Sequence, residues 1–157
     1  MSEELKGKRI AMLACSGFEQ VELTEPRKAL EAAGARVEIV SPEQAQIRGW
    51  DRKDWGTSVP VDRGIDQARA SDYDALVLPG GVMNPDHLRR DERAVSFVRD
   101  MFDEGKPIAA ICHGPWTLVE ADVVDGMRMT SFSSIKTDLI KFGTGDWRTL
   151  ITPVPSP

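Results

Sequence analysis

Four short apolar runs, separated by stretches with helical spacing, constrain the fold of this chain more than any other feature. They occupy residues 9–14, 36–40, 73–78 and 107–111 (RIAMLA, RVEIV, YDALVL and PIAAI). The last shows no polar alternation, the pattern of a strand covered on both faces of its sheet. Between the first two, Ala29, Leu30 and Ala33 share one helical face, and Gly34 stands at the stop position. Pro26 has no backbone donor, so that helix either begins at Thr24 or runs longer with a kink at Pro26. Asp91 is the N-cap of a further helix with Ala94, Val95, Val98, Met101 and Phe102 on its apolar face and Gly105 at its end. Strands and helices alternating at this spacing predict an α/β fold, a doubly wound and mostly parallel sheet sandwiched by helices. The polar segment 41–72 adds Trp50, Trp55 and a candidate short strand over residues 58–61.

Composition narrows the function classes. A chain of 157 residues suits a single domain, and a net charge of −5 offers no basic patch for nucleic acid or an anionic membrane surface. No apolar run approaches a membrane span, and residues 1–6 lack a signal-peptide core, so a cytoplasmic home is expected. Cys15 and Cys112 stand at spacings that make neither a disulfide framework nor a metal cluster, and no cofactor or metal is expected. From residue 141 the periodicity fades, and Pro153, Pro155 and Pro157 forbid a regular element. The expected organisation is a domain over 1–140 followed by a disordered tail over 141–157.

The chemistry concentrates where the fourth run ends, at Ala110-Ile111-Cys112-His113-Gly114. A strand turning sharply into a helix lifts the residue at the bend out of the sheet edge, and the crowded bend needs small neighbours. Gly114-Pro115 opens the following helix, whose first N–H groups favour an anion and so a thiolate. The plainer alternative is an inert core thiol. Ligands bind beyond the carboxyl ends of parallel strands. Three segments converge there: Cys15 to Glu19, Gly80-Gly81, and Cys112-His113. The N–H groups of Gly80, Gly81 and His113 suit an oxyanion hole, although Gly80-Gly81 also reads as a simple tight turn. Glu19 is either a surface carboxylate or a partner of Cys112. In the second case it helps a thiolate only while burial keeps it protonated. The imidazole of His113 is expected beside the thiol without sharing its proton, because adjacent residues at a helix start do not face each other. His87 reads as an exposed loop residue, Cys15 as packing near a strand end, and Trp116, Met127 and Met129 as core or groove lining.

Phe18-Glu19-Gln20-Val21-Glu22, Leu78-Pro79-Gly80-Gly81 and Ala110-Ile111-Cys112-His113-Gly114-Pro115 together closely resemble the PfpI/ThiJ family, over residues 8–140. The segment 130–138 also resembles that family, which usually has Tyr where Phe132 stands. The resemblance implies the flavodoxin-like fold of class I glutamine amidotransferase domains. It implies Cys112 as nucleophile, His113 as its catalytic neighbour, and Glu19 as the acid hydrogen-bonded to the thiol. Gly81 and His113 would then be the oxyanion donors, and Asp86 an acid completing the site of a neighbouring subunit. The activities implied are stress-related peptidase, glyoxalase or deglycase, on a small carbonyl or peptide substrate, in a homodimer or higher homo-oligomer. A sensor or chaperone using the same cysteine is the alternative. Relatives continue beyond the equivalent of Ile140 with another strand and a helix. Neither is visible here, so an altered reading frame or truncation is expected, with part of the sheet uncovered.

Overall fold

A computed structural model describes residues 3–143 and 146–147. The chain opens with β1 (Arg9–Leu13), α1 (Gln20–Ala32) and β2 (Arg36–Ser41). A hairpin follows, β3 (Gln46–Asp51) and β4 (Asp54–Pro60), and then the short β5 (Arg63–Gly64) and two 3₁₀ turns. Next come β6 (Ala75–Leu78), α2 (Met83–Leu88), α3 (Glu92–Asp103), β7 (Ile108–Ala110) and α4 (Pro115–Glu120). The last described elements are β8 (Arg128–Met129), α5 (Lys136–Lys141) and β9 (Asp146–Trp147).

Five strands form one parallel sheet in the order β5-β2-β1-β6-β7. Ile10 of β1 lies opposite Val37 of β2 and Ala75 of β6. Successive side chains of a strand point to opposite faces, and here both faces are covered. Ala11 and Leu13 pack with Leu76, Leu78, Val98 and Met101 on one side, while Ile10 and Met12 pack with Phe18, Leu23 and Ile39 on the other. Burial on two faces is why β1 reads as an unbroken apolar run. The chain steps outward from β1 to β2, then returns to the other side of β1 as β6. The topological switch therefore lies between β1 and β6, and a ligand crevice opens beyond their carboxyl ends.

Several expectations need correction. Of the two readings of Pro26, a start at Thr24 fails and the longer helix holds, with α1 running through Pro26 from Gln20. Proline has no N–H for the carbonyl of Glu22, but one missing bond does not end a helix packed on the sheet through Leu23. Glu22 consequently falls in the first turn of α1. In α3 the Asp91 carboxylate accepts from the N–H groups of Arg93 and Ala94 as a cap, but Phe97 is buried and Phe102 is exposed. β7 is not covered on both faces: it closes the sheet at one edge, with Ala109 exposed. An apolar groove of about 450 Å³, lined by Phe102, Ile108, Leu118, Val124 and Met129, runs beside it. Within the predicted tail, Lys141 ends α5 and β9 pairs in parallel with β8, while residues 144–145 and 148–157 lie outside the described residues. No helix among the described residues is long and apolar enough to cross a membrane.

Candidate active site

The loops after β1, β6 and β7 meet around a cavity of about 360 Å³, walled by Gly17, Glu19, Glu22, Gly81, Cys112 and Phe132 among others. This volume suits a small molecule. Cys112 sits at the bend with φ +58°, a left-handed conformation that costs a non-glycine residue roughly 1–3 kcal/mol. The bend is held from both sides. Ile111 N–H donates to Leu78 O at 3.1 Å, and Phe132 N–H donates to Cys112 O at 2.8 Å. Pro115 occupies the first turn of α4, as expected.

Gly80 lies against the bend from the β6 side. A Cβ on it would stand 2.6 Å from both Cys112 Cβ and Ile111 O, and 2.5 Å from Glu22 Oε2, so only glycine fits. Gly81, at φ +76°, is left-handed as well. The N–H groups of Gly81 and His113 both lower the pKa of the Cys112 thiol, and that of Gly81 acts on the Glu22 carboxyl as well. The N–H of Gly80 does not act on the thiol: it donates to Glu22 Oε2 at 2.8 Å, which removes Gly80 from the expected set of oxyanion donors.

The carboxyl that acts on the Cys112 thiol is that of Glu22 rather than Glu19: its charge and its hydrogen bonding both push the thiol pKa up. Glu19 is the N-cap residue of α1, and its Oε1 accepts from Arg52 N–H at 3.4 Å. Glu22 lies one helical turn on, where the helix brings its carboxyl back over the sheet edge. Burial, and the repulsion of Glu19 after it, raise Glu22 above the ordinary glutamate range; the backbone N–H of Gly80 opposes this. Burial first, and the Glu22 charge second, push the Cys112 thiol up to about 11, while the Gly81 and His113 N–H groups pull it down. Two acids in contact titrate as a unit, so between their two ionisations the pair carries one proton and one negative charge.

The side chains of Cys112 and His113 do meet, against expectation: Nδ1 lies 3.1 Å from Sγ. The facing rule applies within a helix, and both residues precede α4, with left-handed φ turning Cys112 toward its neighbour. Nε2 of His113 lies 3.0 Å from Ser134 Oγ, its ring stacks on Phe132 at 4.7 Å, and Trp116 packs edge-on at 5.4 Å. Burial lowers the His113 pKa, favouring neutral imidazole.

The other candidates sit apart. Asp86, expected to act from a neighbouring copy, is exposed on α2 and does not line the cavity of its own chain. His87 is exposed, on α2 rather than in a loop. Cys15 is buried, its thiol donates to Asn84 O at 3.4 Å, and burial pushes it up to about 12, so it stays protonated. Three residues escaped the sequence reading: Glu22, Ser134 and Asn84. A signal for Glu22 existed in its place one turn beyond Glu19, once the helix is allowed to cross Pro26.

A doubly wound parallel sheet whose edge strand bends through a left-handed cysteine into a helix defines a class, the cysteine-elbow proteins of glutamine amidotransferase-like fold. Within that class this chain belongs to the DJ-1/PfpI family, whose family profile matches residues 8–147. General stress protein 18 of Bacillus subtilis is 40% identical over 87% of this chain and 78% of its own length. Protein/nucleic acid deglycase 2 of Escherichia coli is 40% identical over 87% of this chain and 77% of its own. Among solved structures, a two-domain protein from Anabaena variabilis with DJ-1/ThiJ/PfpI-like and ferritin-like domains superposes with a TM-score of 0.83 at 33% identity. The match covers 90% of this chain and 39% of that larger one.

Proposed function

We propose that this chain is a stress-related, cysteine-dependent enzyme acting on carbonyl compounds, namely α-oxoaldehydes and the adducts they form with amines. The observation that carries this reading is the meeting of Glu22, Cys112 and His113 with two N–H groups at one small cavity. The name of the Escherichia coli relative, protein/nucleic acid deglycase 2, supports the same reading.

In this reading Glu22 holds the shared proton and donates it in a hydrogen bond to the Cys112 thiolate. The sulfur adds to the aldehyde carbon, and the carbonyl electron pair moves to oxygen. The Gly81 and His113 N–H groups stabilise that oxyanion until it takes a proton from Glu22. Neutral His113 removes the hydrogen left on the former aldehyde carbon as a proton and returns it to the adjacent carbon. The hydroxyl proton on the former aldehyde oxygen passes to the neighbouring ketone oxygen through the Glu22 carboxylate, giving a thioester of a 2-hydroxy acid. Water then cleaves the C–S bond, releasing a 2-hydroxy acid and the thiol. No external oxidant or reductant is needed, because one carbon is oxidised as its neighbour is reduced. The family resemblance adds peptide bonds as a second carbonyl substrate class.

The test is methylglyoxal consumption by the natural chain and by Cys112→Ala. Loss of all turnover in a folded Cys112→Ala protein is expected. Equal turnover in the two proteins overturns the reading. A natural chain that oxidises at Cys112 under mild peroxide without turnover also overturns it, in favour of a sensor.

A further inference from the structure

We propose that Asn84 is the positioning residue of the oxyanion hole, holding two successive peptide groups so that their N–H ends face Glu22 and Cys112. The proposal rests on the functional reading above. Asn84, on α2, is fully buried. Its Oδ1 accepts from Cys15 N–H at 2.9 Å, and its Nδ2 donates to Pro79 O at 2.8 Å and to Gly80 O at 3.2 Å. The reverse orientation of the carboxamide would set its oxygen against two carbonyls, so the network fixes which end is which.

A trans peptide is planar, with its C=O and N–H pointing in opposite directions. In the Pro79–Gly80 peptide the carbonyl is held by Asn84, and the N–H donates to Glu22 Oε2 at 2.8 Å. In the Gly80–Gly81 peptide the carbonyl is held by Asn84, with Glu19 N–H adding to it at 3.4 Å, and the N–H on the opposite side favours negative charge on Cys112 and on Glu22. One carboxamide therefore grips the back of both dipoles whose fronts serve the nucleophile pair. Asn84 itself does not reach the sulfur. The grip matters because glycine on both sides leaves the second peptide free to rotate, and a rotated peptide would present its carbonyl oxygen to a thiolate. The ionisable groups facing Cys112 are Glu22 from α1, its neighbour His113, and Glu19 at the cavity wall.

The test compares the natural chain with Asn84→Asp and Asn84→Ser. The rate of iodoacetamide alkylation at Cys112 is followed by peptide mass spectrometry against pH, beside methylglyoxal kinetics. In each variant with native circular dichroism, the apparent thiol pKa is expected to rise by about one unit and kcat to fall by roughly tenfold or more, with KM nearly unchanged. A folded variant with natural alkylation and kcat overturns the proposal. If neither variant folds, nuclear magnetic resonance of the natural chain decides: the Gly81 amide shift should follow the Cys112 titration, and a Gly81 amide blind to it overturns the proposal. If the natural chain turns over no carbonyl substrate while Asn84→Asp still shifts the alkylation profile, Asn84 keeps its positioning role and the functional reading alone falls.

Discussion

The carboxyl of Glu22, in the first turn of α1, shares one cavity with the thiol of Cys112 at the bend beyond β7, and its charge and hydrogen bonding both act on that thiol. The contact joins residues far apart in sequence and puts an acid where a simple charge would hinder a thiolate. Burial and the Glu22 charge both push the thiol up, so the conflict is resolved in the form whose one proton sits on Glu22, which burial of that carboxyl and the Gly81 and His113 N–H groups favour.

Stability against pH follows from this burial. The folded-state pKa of Glu22 is raised above its ordinary value of 4.5, so its contribution is fully present below that value and lost as pH rises through the raised one. Glu22→Gln removes the titration and keeps a group that can accept from Gly80 N–H. Thermal melting from pH 4 upward should show the natural chain losing stability relative to Glu22→Gln, by a few degrees. Parallel curves would show that Glu22 ionises freely.

For His113, burial lowers the pKa below the ordinary 6.5, and no carboxylate of the same chain is hydrogen-bonded to its ring among the described residues. Nitrogen-detected titration should place its midpoint below 6.5. A midpoint above that value would mean a thiolate–imidazolium ion pair, and Glu22 would lose its role as the proton holder.

Gly80→Ala tests the close packing behind the cysteine. The added Cβ meets Ile111 O, a backbone atom that cannot move without shifting the bend. Destabilisation of about 1–3 kcal/mol is expected, with turnover down by roughly a hundredfold as Glu22 and Cys112 are forced apart. A fully active Gly80→Ala protein would mean that the approach seen here is not needed.

Much of this arrangement was legible in the residues because local chemistry and fold agreed. The apolar runs marked four strands of the parallel sheet, and the small–x–Cys–x–small turn marked its bend. What stayed hidden depended on tertiary context. Ala109 and Ala110 read as buried because small apolar residues suit either a core or an edge, and β7 is an edge. The β3–β4 hairpin turns at Arg52 with φ +61°, without the Asn-Gly or Asp-Gly pair that announces such turns. The ladder also shifts register between Arg48 and Trp50, breaking the alternation a strand reading needs. Glu22 was hidden because Glu19 stands one turn earlier in the same motif, and only the packing of α1 on the sheet decides which carboxyl acts on Cys112. Asn84 carried no sequence signal, since a buried asparagine is defined by the carbonyls around it.

The central claim is that Glu22 activates Cys112 through a proton rather than opposing it through a charge. The direct measurement is the pH dependence of Cys112 alkylation in the natural chain, Glu22→Gln and Glu19→Gln. If Glu22 donates its proton, the amide of Gln is a weaker donor to the thiolate, and the apparent thiol pKa rises in Glu22→Gln while Glu19→Gln leaves it unchanged. If Glu22 acts only as a neighbouring negative charge, its removal lowers the thiol pKa, and that result would contradict the account.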